Sequence, residues 1–407
     1  MQKHILYLSY DGLTDSLGQS QILPYVKGLS KLGYRFTILS FEKRERFAKN
    51  RSLIQSLVDE SGIQWVPLPF TVNPPLISKF YDAMQMRRKA AALHKENSFA
   101  MVHCRSYIAA DVGLYMKQRF GTKFFFDMRG FWADEKKDGG HWDIKHPILR
   151  RVYNYYKKKE KEYLQNADYV ISLTEAGKRE LMTWPFYDKK VPLQVIPCCA
   201  DMSLFSVTDA TQKRESREHL GIDADRLVIS YLGSVGMWYM LDEMLQFFQE
   251  VKKVYSTALF LFVTHSDPSI IEKKIDSLGL AQNDFIIMES KRKDVPGVMK
   301  ASDINISFIK PVYSKISSSP TKLGEVLSMG IPVVCNSGVG DVERIVTGIN
   351  AGYIIHDFSE ATFTRAVQAI PELVQKSPSL IRNEARDIYS LDIGIEQYAK
   401  CYETLLQ

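Results

Sequence analysis

Short apolar segments alternate with helical segments along this chain, and the alternation restricts the fold more than any other feature. Residues 5–9 and 35–41 read as buried strands. Between them, residues 22–32 have apolar side chains at helical spacing, and Gly33 follows as a helix-ending residue. A strand, a helix and a second strand in this order open a doubly wound α/β domain with a parallel sheet.

The same alternation returns in the second half of the chain. Residues 227–233, 259–263, 285–288 and 304–308 are further apolar strand candidates separated by helical segments. A chain of 407 residues is too long for one compact core and suits two domains. The sequence therefore predicts two similar α/β domains.

A stretch of the second half, residues 317–336, combines a helix start with charged side chains. Ser318 and Ser319 are candidates for the helix N-cap, and Pro320 suits the first helical turn. Apolar residues then recur at helical spacing until Gly330, and residues 331–335 read as a short buried strand.

Such a helix start favours a phosphate group, because its first backbone N–H groups are free and Lys322 adds a positive charge. Glu325 would repel a phosphate but can accept two hydrogen bonds from a diol, which indicates a ribose beside a diphosphate. A capped surface helix whose Lys and Glu face water is the alternative interpretation.

In the first half, polar side chains follow two predicted strands. The strand at residues 101–105 carries His103 and Arg105 at its end, and the strand at residues 123–126 delivers Asp127. These ends should line one cleft, since ligands of such sheets bind at the carboxyl ends of strands. A structural role for His103 is the simpler alternative. The loop that follows is dense in polar and aromatic groups, namely Arg129, Trp132, Asp134 and Glu135.

Two glycine-containing loops also follow predicted strands. Gly18 lies in a predicted loop at residues 11–20, and Gly233 with Ser234 follows the strand that opens the second domain. Glycine permits close approach of a ligand to the backbone N–H groups, although flexibility of the loop alone explains Gly18 equally well.

Residues 150–164 read as an amphipathic helix that interleaves tyrosines with Lys157, Lys158, Lys159 and Lys161. Most charged helix faces are simply solvated. A basic and aromatic face also suits an anionic membrane surface, and both interpretations stay open here.

Composition narrows the class of protein. The net charge of +6 arises from 53 bases and 47 acids, too small an excess to indicate nucleic-acid binding. Five cysteines without metal-binding spacing favour a reducing cytoplasm, and no metal site is predicted. No apolar run approaches the length of a membrane span, so a cytoplasmic protein, soluble or peripheral on the inner membrane face, is expected.

The stretch around Glu325 resembles the donor-site motif of retaining family-4 glycosyltransferases of the GT-B fold. In that family a helix carries a Glu for the nucleotide ribose and leads to a Gly-x-Pro-Val-Val strand, as at Glu325 and residues 330–334. Residues 193–201 resemble the interdomain segment of the family. The resemblance implies domains at 1–199 and 200–385, facing each other across a cleft, and a terminal helix at 386–407 that packs on the first domain.

The chain departs from the family pattern at three places. Ser317 stands where the family has a Glu for the transferred sugar, and Arg105 stands where it has a second His. No base follows Gly233, where the family neutralises the diphosphate, so Lys315 and Lys322 are the replacements expected for this role. Arg292 is a further donor-side candidate.

The resemblance thus implies a retaining, metal-independent glycosyltransferase that acts in cell-surface polysaccharide synthesis. It would use a nucleotide diphosphate-sugar as substrate, no cofactor, and a glycan or lipid-linked acceptor. The catalytic candidates are His103, Arg105, Asp127 and Lys322. The donor-binding candidates are Gly18, Gly233, Ser234, Arg292, Ser317, Ser318, Ser319, Thr321, Lys322 and Glu325. The acceptor-side candidates are Arg129, Trp132 and Asp134.

An inactive GT-B binding or scaffold protein is the alternative function. A nucleotide-dependent oxidoreductase is disfavoured because the dinucleotide fingerprint is absent.

Overall fold

The structure, a computed structural model, describes residues 3–74 and 77–407. The chain divides into two compact units. The first unit is Met1–Pro197 together with Leu391–Gln407, and the second unit is Cys198–Ser390.

The first unit contains a seven-stranded parallel sheet with strand order β3-β2-β1-β4-β5-β6-β7. Its strands are β1 (His4–Ser9), β2 (Arg35–Glu42), β3 (Gln64–Pro69), β4 (Met101–Arg105), β5 (Lys123–Asp127), β6 (Tyr169–Ser172) and β7 (Leu193–Val195). Its helices up to residue 197 are α1 (Ser16–Gln21), α2 (Leu23–Lys31), α3 (Arg44–Asp59), α4 (Ile77–Asn97), α5 (Ser106–Phe120), α6 (Trp132–Asp138), α7 (Pro147–Asn166) and α8 (Glu175–Thr183).

The second unit contains a six-stranded parallel sheet with strand order β10-β9-β8-β11-β12-β13. Its strands are β8 (Val228–Leu232), β9 (Leu259–Val263), β10 (Phe285–Met288), β11 (Ile304–Ser307), β12 (Val333–Asn336) and β13 (Gly352–Ile355). Its helices are α9 (Ala210–His219), α10 (Leu241–Val254), α11 (Pro268–Ser277), α12 (Val295–Met299), α13 (Thr321–Ser328), α14 (Val342–Gly348), α15 (Glu360–Gln368), α16 (Ile370–Val374) and α17 (Pro378–Tyr389). Two 3₁₀ helices span Gln282–Asp284 and Tyr313–Ser317.

These two sheets confirm the predicted fold class of two Rossmann-like domains. Strands such as β1, β8 and β9 are buried along their whole length, because helices cover both faces of a parallel sheet. That is why the strands read as continuous apolar runs in the sequence.

The last helix, α18 (Leu391–Leu406), returns to the first unit and packs on α2. Gly28 of α2 makes this contact close, because a Cβ there would come within 2.2 Å of the Ile395 side chain. Tyr398 and Tyr402 of α18 are buried in the first unit. Helix α18 thus places two tyrosine hydroxyls next to the strands β4 and β5.

Some predicted boundaries of helices, strands and loops were wrong. Residues 11–20 are not all loop, since α1 begins at Ser16. The strand predicted at residues 331–335 begins at Val333, because the chain first reverses direction through the left-handed Gly330. Among the described residues, no helix is both long and apolar enough to cross a bilayer.

Candidate functional site

The donor-side candidates of the second unit lie at the edge of its sheet where the strand order reverses. From β8 the chain proceeds to β9 on one side, while β11 pairs with β8 on the other side. The loops after β8 and β11 therefore diverge, and the opening between them is where α/β sheets bind ligands. Gly233 follows β8, and the segment leading to α13 follows β11.

Lys322, in the first turn of α13, reaches the loop after β8. Its amino group lies 3.7 Å from the centre of the Tyr239 ring and 3.4 Å from the Tyr231 hydroxyl. A Cβ on Gly233 would come within 1.7 Å of the Lys322 Nζ. Glycine at position 233 thus makes room for the Lys322 amino group, where the sequence had suggested room for a phosphate. The structure therefore brings Lys322 and Gly233 together.

The surroundings of Lys322 are unusual for a lysine. Burial lowers the pKa of its amino group to about 7, and the nearby Glu325 only partly opposes this shift. The two tyrosine rings supply cation–π attraction but no formal negative charge. An anion that approached this amino group would therefore supply the countercharge that the rings cannot.

Lys315 belongs to the same arrangement. It lies in the 3₁₀ helix before α13, and its amino group is 3.8 Å from the centre of the Trp238 ring. The loop after β8 thus carries two aromatic residues, Trp238 and Tyr239, and each supports a lysine from the segment after β11. The loop after β8 has no Lys or Arg of its own, and the two lysines beside it come from the segment after β11.

Glu325 forms an ion pair with Arg292. The Arg292 guanidinium donates to Glu325 Oε1 at 2.6 Å, and the same guanidinium lies 5.4 Å from the Phe205 ring. Burial raises the pKa of the Glu325 carboxyl, and Arg292 and then Lys322 oppose that shift. Arg292, Glu325 and Lys322 therefore form one cluster, in which the carboxylate has a base on either side.

The serines before α13 do not cap it, so that prediction was wrong. Helix α13 begins at Thr321, and its N-cap position is Pro320, which has no side-chain acceptor. The Ser319 hydroxyl instead accepts from the Cys198 backbone N–H at 3.1 Å, and the Ser317 hydroxyl donates to the Ser314 carbonyl. Ser318 ends the preceding 3₁₀ helix.

Ser234, the other donor-side candidate after β8, is exposed. Its backbone carbonyl accepts a hydrogen bond of 2.6 Å from the Tyr231 hydroxyl. Ser234 therefore helps to orient Tyr231, which in turn contacts Lys322.

In the first unit, His103 and Asp127 form a buried polar cluster with α18. The His103 ring contacts the Tyr402 hydroxyl through Nδ1 at 2.5 Å and Asp127 Oδ2 through Nε2 at 3.4 Å. The Tyr398 hydroxyl donates to the same Asp127 oxygen at 3.0 Å. Both ring nitrogens of His103 are therefore engaged within the unit. This arrangement supports the structural role of His103 that the sequence left open.

The charges of this cluster are set by burial and by two arginines. Burial lowers the pKa of His103, although Asp127 opposes the shift. Burial also disfavours the ionised form of Asp127, but Arg129, His103 and Arg105 outweigh it and hold the pKa of the carboxyl below its usual value. The cluster thus holds a neutral imidazole beside a carboxylate.

Arg105 lies at the switch point of the first sheet, between the ends of β1 and β4. Its Nε is 3.5 Å from Asp11 Oδ2, and its Nη1 is buried without a hydrogen-bond acceptor among the described residues. Arg129, after β5, lies 3.7 Å from Asp127 and has a left-handed φ of 59°. Such backbone strain is often found at functional sites.

Protein atoms fill the space beside Gly18 where a Cβ would lie. A Cβ there would come within 2.1 Å of the Gly12 carbonyl oxygen and 2.6 Å of the Leu13 Cα. The glycine therefore allows α1 to pack against the loop after β1. The approach of a donor to the backbone of this loop stays a prediction.

Asp134 and Trp132 hold α6 against α7. Asp134 is buried and accepts from the Tyr153 hydroxyl at 2.7 Å and from Lys157 at 2.9 Å, while Trp132 packs edge-on against Tyr156. Asp134 therefore has hydrogen-bond partners within the unit, and its assignment to the acceptor stays a prediction.

Two of the four lysines of α7, Lys157 and Lys159, are paired with acids. Lys157 also pairs with the buried Glu160, and Lys159 lies within 3.1 Å of Asp111 and 3.0 Å of Glu162. The sequence alone suggested a basic face, because Asp134 and Asp111, the partners outside α7, are distant in the chain.

Sequence reasoning missed Glu42, at the end of β2. Its carboxylate accepts from the backbone N–H groups of Leu13 and Thr14 at 2.8 and 3.1 Å and from the Ser40 hydroxyl at 2.7 Å. Glu42 thereby shapes the loop after β1 that carries Asp11. A carboxylate at the end of an otherwise apolar strand was the available signal.

Among the residues the structure describes, no group of three or more His, Cys, Asp or Glu could hold a metal ion.

Two family models match the chain, one for each unit. The model described as "Glycosyltransferase Family 4" matches residues 20–204, and the model described as "Glycosyl transferases group 1" matches residues 212–387. No curated protein matches the sequence.

Solved structures resemble the fold over nearly the whole chain. Sucrose-phosphate synthase from Thermosynechococcus elongatus is 15% identical with a TM-score of 0.73, and the match covers 99% of both chains. HepE from Anabaena in complex with UDP-glucose is 14% identical with a TM-score of 0.73, covering 98% of this chain and 99% of that one. WaaG, a glycosyltransferase involved in lipopolysaccharide biosynthesis, is 14% identical with a TM-score of 0.70 and the same coverage. The two parallel sheets and both family models lead to one conclusion: the chain belongs to the family-4 glycosyltransferases and has the GT-B fold.

Proposed function

We propose that the protein is a retaining glycosyltransferase that moves a sugar from a nucleotide diphosphate-sugar to a hydroxyl of a glycan or lipid-linked saccharide, in cell-surface polysaccharide synthesis on the cytoplasmic side. The observation that carries the donor assignment is the cluster of Lys322, Glu325 and Arg292 at the switch point of the second sheet. The HepE complex contains UDP-glucose, which makes this compound the first donor to test.

The cluster suits the two ends of a nucleotide diphosphate. Lys322 would neutralise the diphosphate, since its desolvated amino group gains a countercharge there. Glu325 would accept hydrogen bonds from the ribose hydroxyls. A carboxylate has about four acceptor sites, so the bond from Arg292 leaves capacity for a diol.

In the proposed reaction, the bond between the sugar C1 and the diphosphate oxygen breaks, and the electron pair leaves with the diphosphate. The acceptor hydroxyl forms the new bond to C1 on the same face, and its proton passes to the leaving phosphate oxygen. Lys322 opposes the charge that develops on that oxygen, so it acts most strongly in the transition state. This scheme requires no nucleophile from the protein and no metal ion.

On the acceptor side, Arg105 and Arg129 are the first-unit residues we assign to the reaction. Arg105 has a buried guanidinium nitrogen without an acceptor among the described residues, and a substrate oxygen would satisfy it. The structurally similar WaaG is involved in lipopolysaccharide biosynthesis, which favours a saccharide as the acceptor class.

The test is transfer from a panel of nucleotide sugars, beginning with UDP-glucose, to saccharide acceptors, with the anomeric configuration of the product read by NMR. We expect a product of retained configuration, and undiminished transfer in EDTA. An inverted product would refute the retaining mechanism. Donor binding without transfer across the panel would favour the scaffold alternative.

Donor affinity should depend on pH through Lys322. The pKa of this lysine is lowered to about 7 in the free protein, so its positive charge is present below pH 7 and is lost as the pH rises through that value. A nucleotide sugar keeps its diphosphate charges across this range and binds the protonated form better. Affinity should therefore fall by up to about tenfold per pH unit above 7.

Calorimetry of UDP-glucose binding at pH 6, 7, 8 and 9 measures this dependence. Lys322→Met should bind more weakly and show a flat profile over the same range. An equally steep decline in Lys322→Met would assign the titration to another group.

A further inference from the structure

Several large apolar side chains of the first unit are exposed on two helices. On α4, Ile77 is 64% exposed and Tyr81 is 52% exposed, and near the start of α7, Ile148 is 59% exposed. We define the α4–α7 surface as the exposed apolar residues Ile77, Phe80, Tyr81, Met84, Ile144, Ile148 and Tyr155. Scattered single apolar residues are normal on a protein surface, but a contiguous group indicates an interaction site.

The two helices form one continuous surface. The rings of Phe80 and Tyr155 are 5.7 Å apart, which joins the exposed edge of α4 to that of α7. Beneath them, Ala83 of α4 and Leu149 and Val152 of α7 pack against the same buried cluster. The exposed residues are therefore held side by side by a shared core.

The charges around this surface are almost all positive. Between residues 77 and 96 the acidic residues are Asp82, which is buried and accepts a hydrogen bond from Tyr10, and the exposed Glu96. Residues 144–159 contain no acid, and the exposed Asp143 precedes them. The exposed bases here are Arg87, Arg88, Lys89, Lys95, Lys145, Arg150, Arg151 and Lys158.

A groove adjoins the surface along α4 and α5. It has a volume of about 550 Å³ and is lined by apolar side chains such as Met84, by the bases Arg87, Arg88 and Lys95, and by the acid Glu96. The Arg87 guanidinium lies 3.6 Å from the centre of the Tyr115 ring, so this base is held at the rim of the groove. Apolar and basic groups thus both line this groove.

We propose that the α4–α7 surface docks on a lipid bilayer that contains anionic lipids. Aromatic and aliphatic side chains would enter the boundary between headgroups and acyl chains, while the surrounding bases attract the anionic headgroups. A second copy of this chain fits less well, because a symmetric contact would bring two basic surfaces together. The lysines Lys157 and Lys159, which the sequence indicated, contribute little because acids of the same unit pair with them.

The apolar part is tested by co-sedimentation of the full chain with vesicles of phosphatidylcholine and phosphatidylglycerol. The triple variant Ile77→Ser, Tyr81→Ser and Ile148→Ser should bind at least about tenfold more weakly, since burial of each apolar side chain contributes to docking. The matched control is the triple variant Val254→Ser, Ile270→Ser and Leu380→Ser, which replaces exposed apolar residues of the second unit and should bind like the parent.

The charged part is tested with Arg88→Gln and Lys89→Gln together. Binding should fall by about fivefold per charge at low salt, and the loss should disappear at high salt. Lys273→Gln with Arg214→Gln is the control in the second unit, where both bases are exposed. The parent should bind vesicles of phosphatidylcholine alone much more weakly than mixed vesicles.

Equal sedimentation of the parent and both α4–α7 variants would overturn the proposal. So would a parent that fails to bind mixed vesicles, or one whose α4–α7 surface mediates self-association in light scattering instead. Thermal unfolding of each variant shows whether it is folded, which is expected because all replaced side chains are exposed. Vesicle binding requires no sugar transfer, so this test and that of the proposed activity can fail independently.

Discussion

Replacing Lys322 with methionine is expected to reduce kcat by about tenfold to a thousandfold, with a smaller change in the donor KM. Methionine keeps most of the length of the side chain between Gly233 and Tyr239 and removes the charge. Because negative charge grows on the leaving diphosphate as the reaction proceeds, the missing cation weakens the transition state more than the bound substrate. Steady-state kinetics at saturating donor measure the effect.

The structure supplies a control for folding in this experiment. Burial of the Lys322 amino group lowers its pKa, so its charge destabilises the folded state, and Lys322→Met should unfold at the same temperature as the parent or higher. Lys273→Met, at an exposed position on α11, is the matched control and should leave turnover unchanged. Normal kcat in folded Lys322→Met would place the diphosphate elsewhere, and Lys315 beside Trp238 would become the next residue to replace.

Glu325→Gln is expected to weaken donor binding by about 1 to 3 kcal/mol, the usual range for a hydrogen bond to a charged group. Glutamine keeps the shape of the side chain but accepts hydrogen bonds from the ribose less strongly. It also removes the ion pair with Arg292, whose guanidinium then competes for other acceptors. Calorimetry with the nucleoside diphosphate measures the loss without any need for turnover.

The ion pair complicates the interpretation of Glu325→Gln, and a second variant separates the two effects. Arg292→Met removes the base and leaves the carboxylate. If Glu325 binds the ribose, Glu325→Gln should weaken binding in the Arg292→Met background as well. The exposed Glu343→Gln on α14 is the control and should bind as the parent does. Unchanged affinity in Glu325→Gln would remove the ribose assignment and leave Glu325 as a structural partner of Arg292.

Local patterns were sufficient to predict most strands of the two sheets, but not β3, β6, β7 and β13. The strands β5, β9 and β10 are largely apolar runs because helices cover both faces of a parallel sheet, and their limits follow from the sequence to within a residue. Positions of Glu325 and Lys322 on one helix were also predictable, since a spacing of three residues places them on neighbouring parts of its surface.

The sequence by itself thus determined the fold class, the family and the helix that carries the donor-side charges, because periodicity and motif spacing are properties of neighbouring residues. The tertiary structure alone decided the partners of those charges. Lys322 meets Tyr231 and Gly233, and Glu325 meets Arg292, across long separations in the chain. Lys157 likewise finds Asp134, so a lysine that the sequence places on a basic face is paired within the unit. Whether a lysine is solvated, paired or desolvated depends on which distant segments the fold brings beside it, and no local pattern records that.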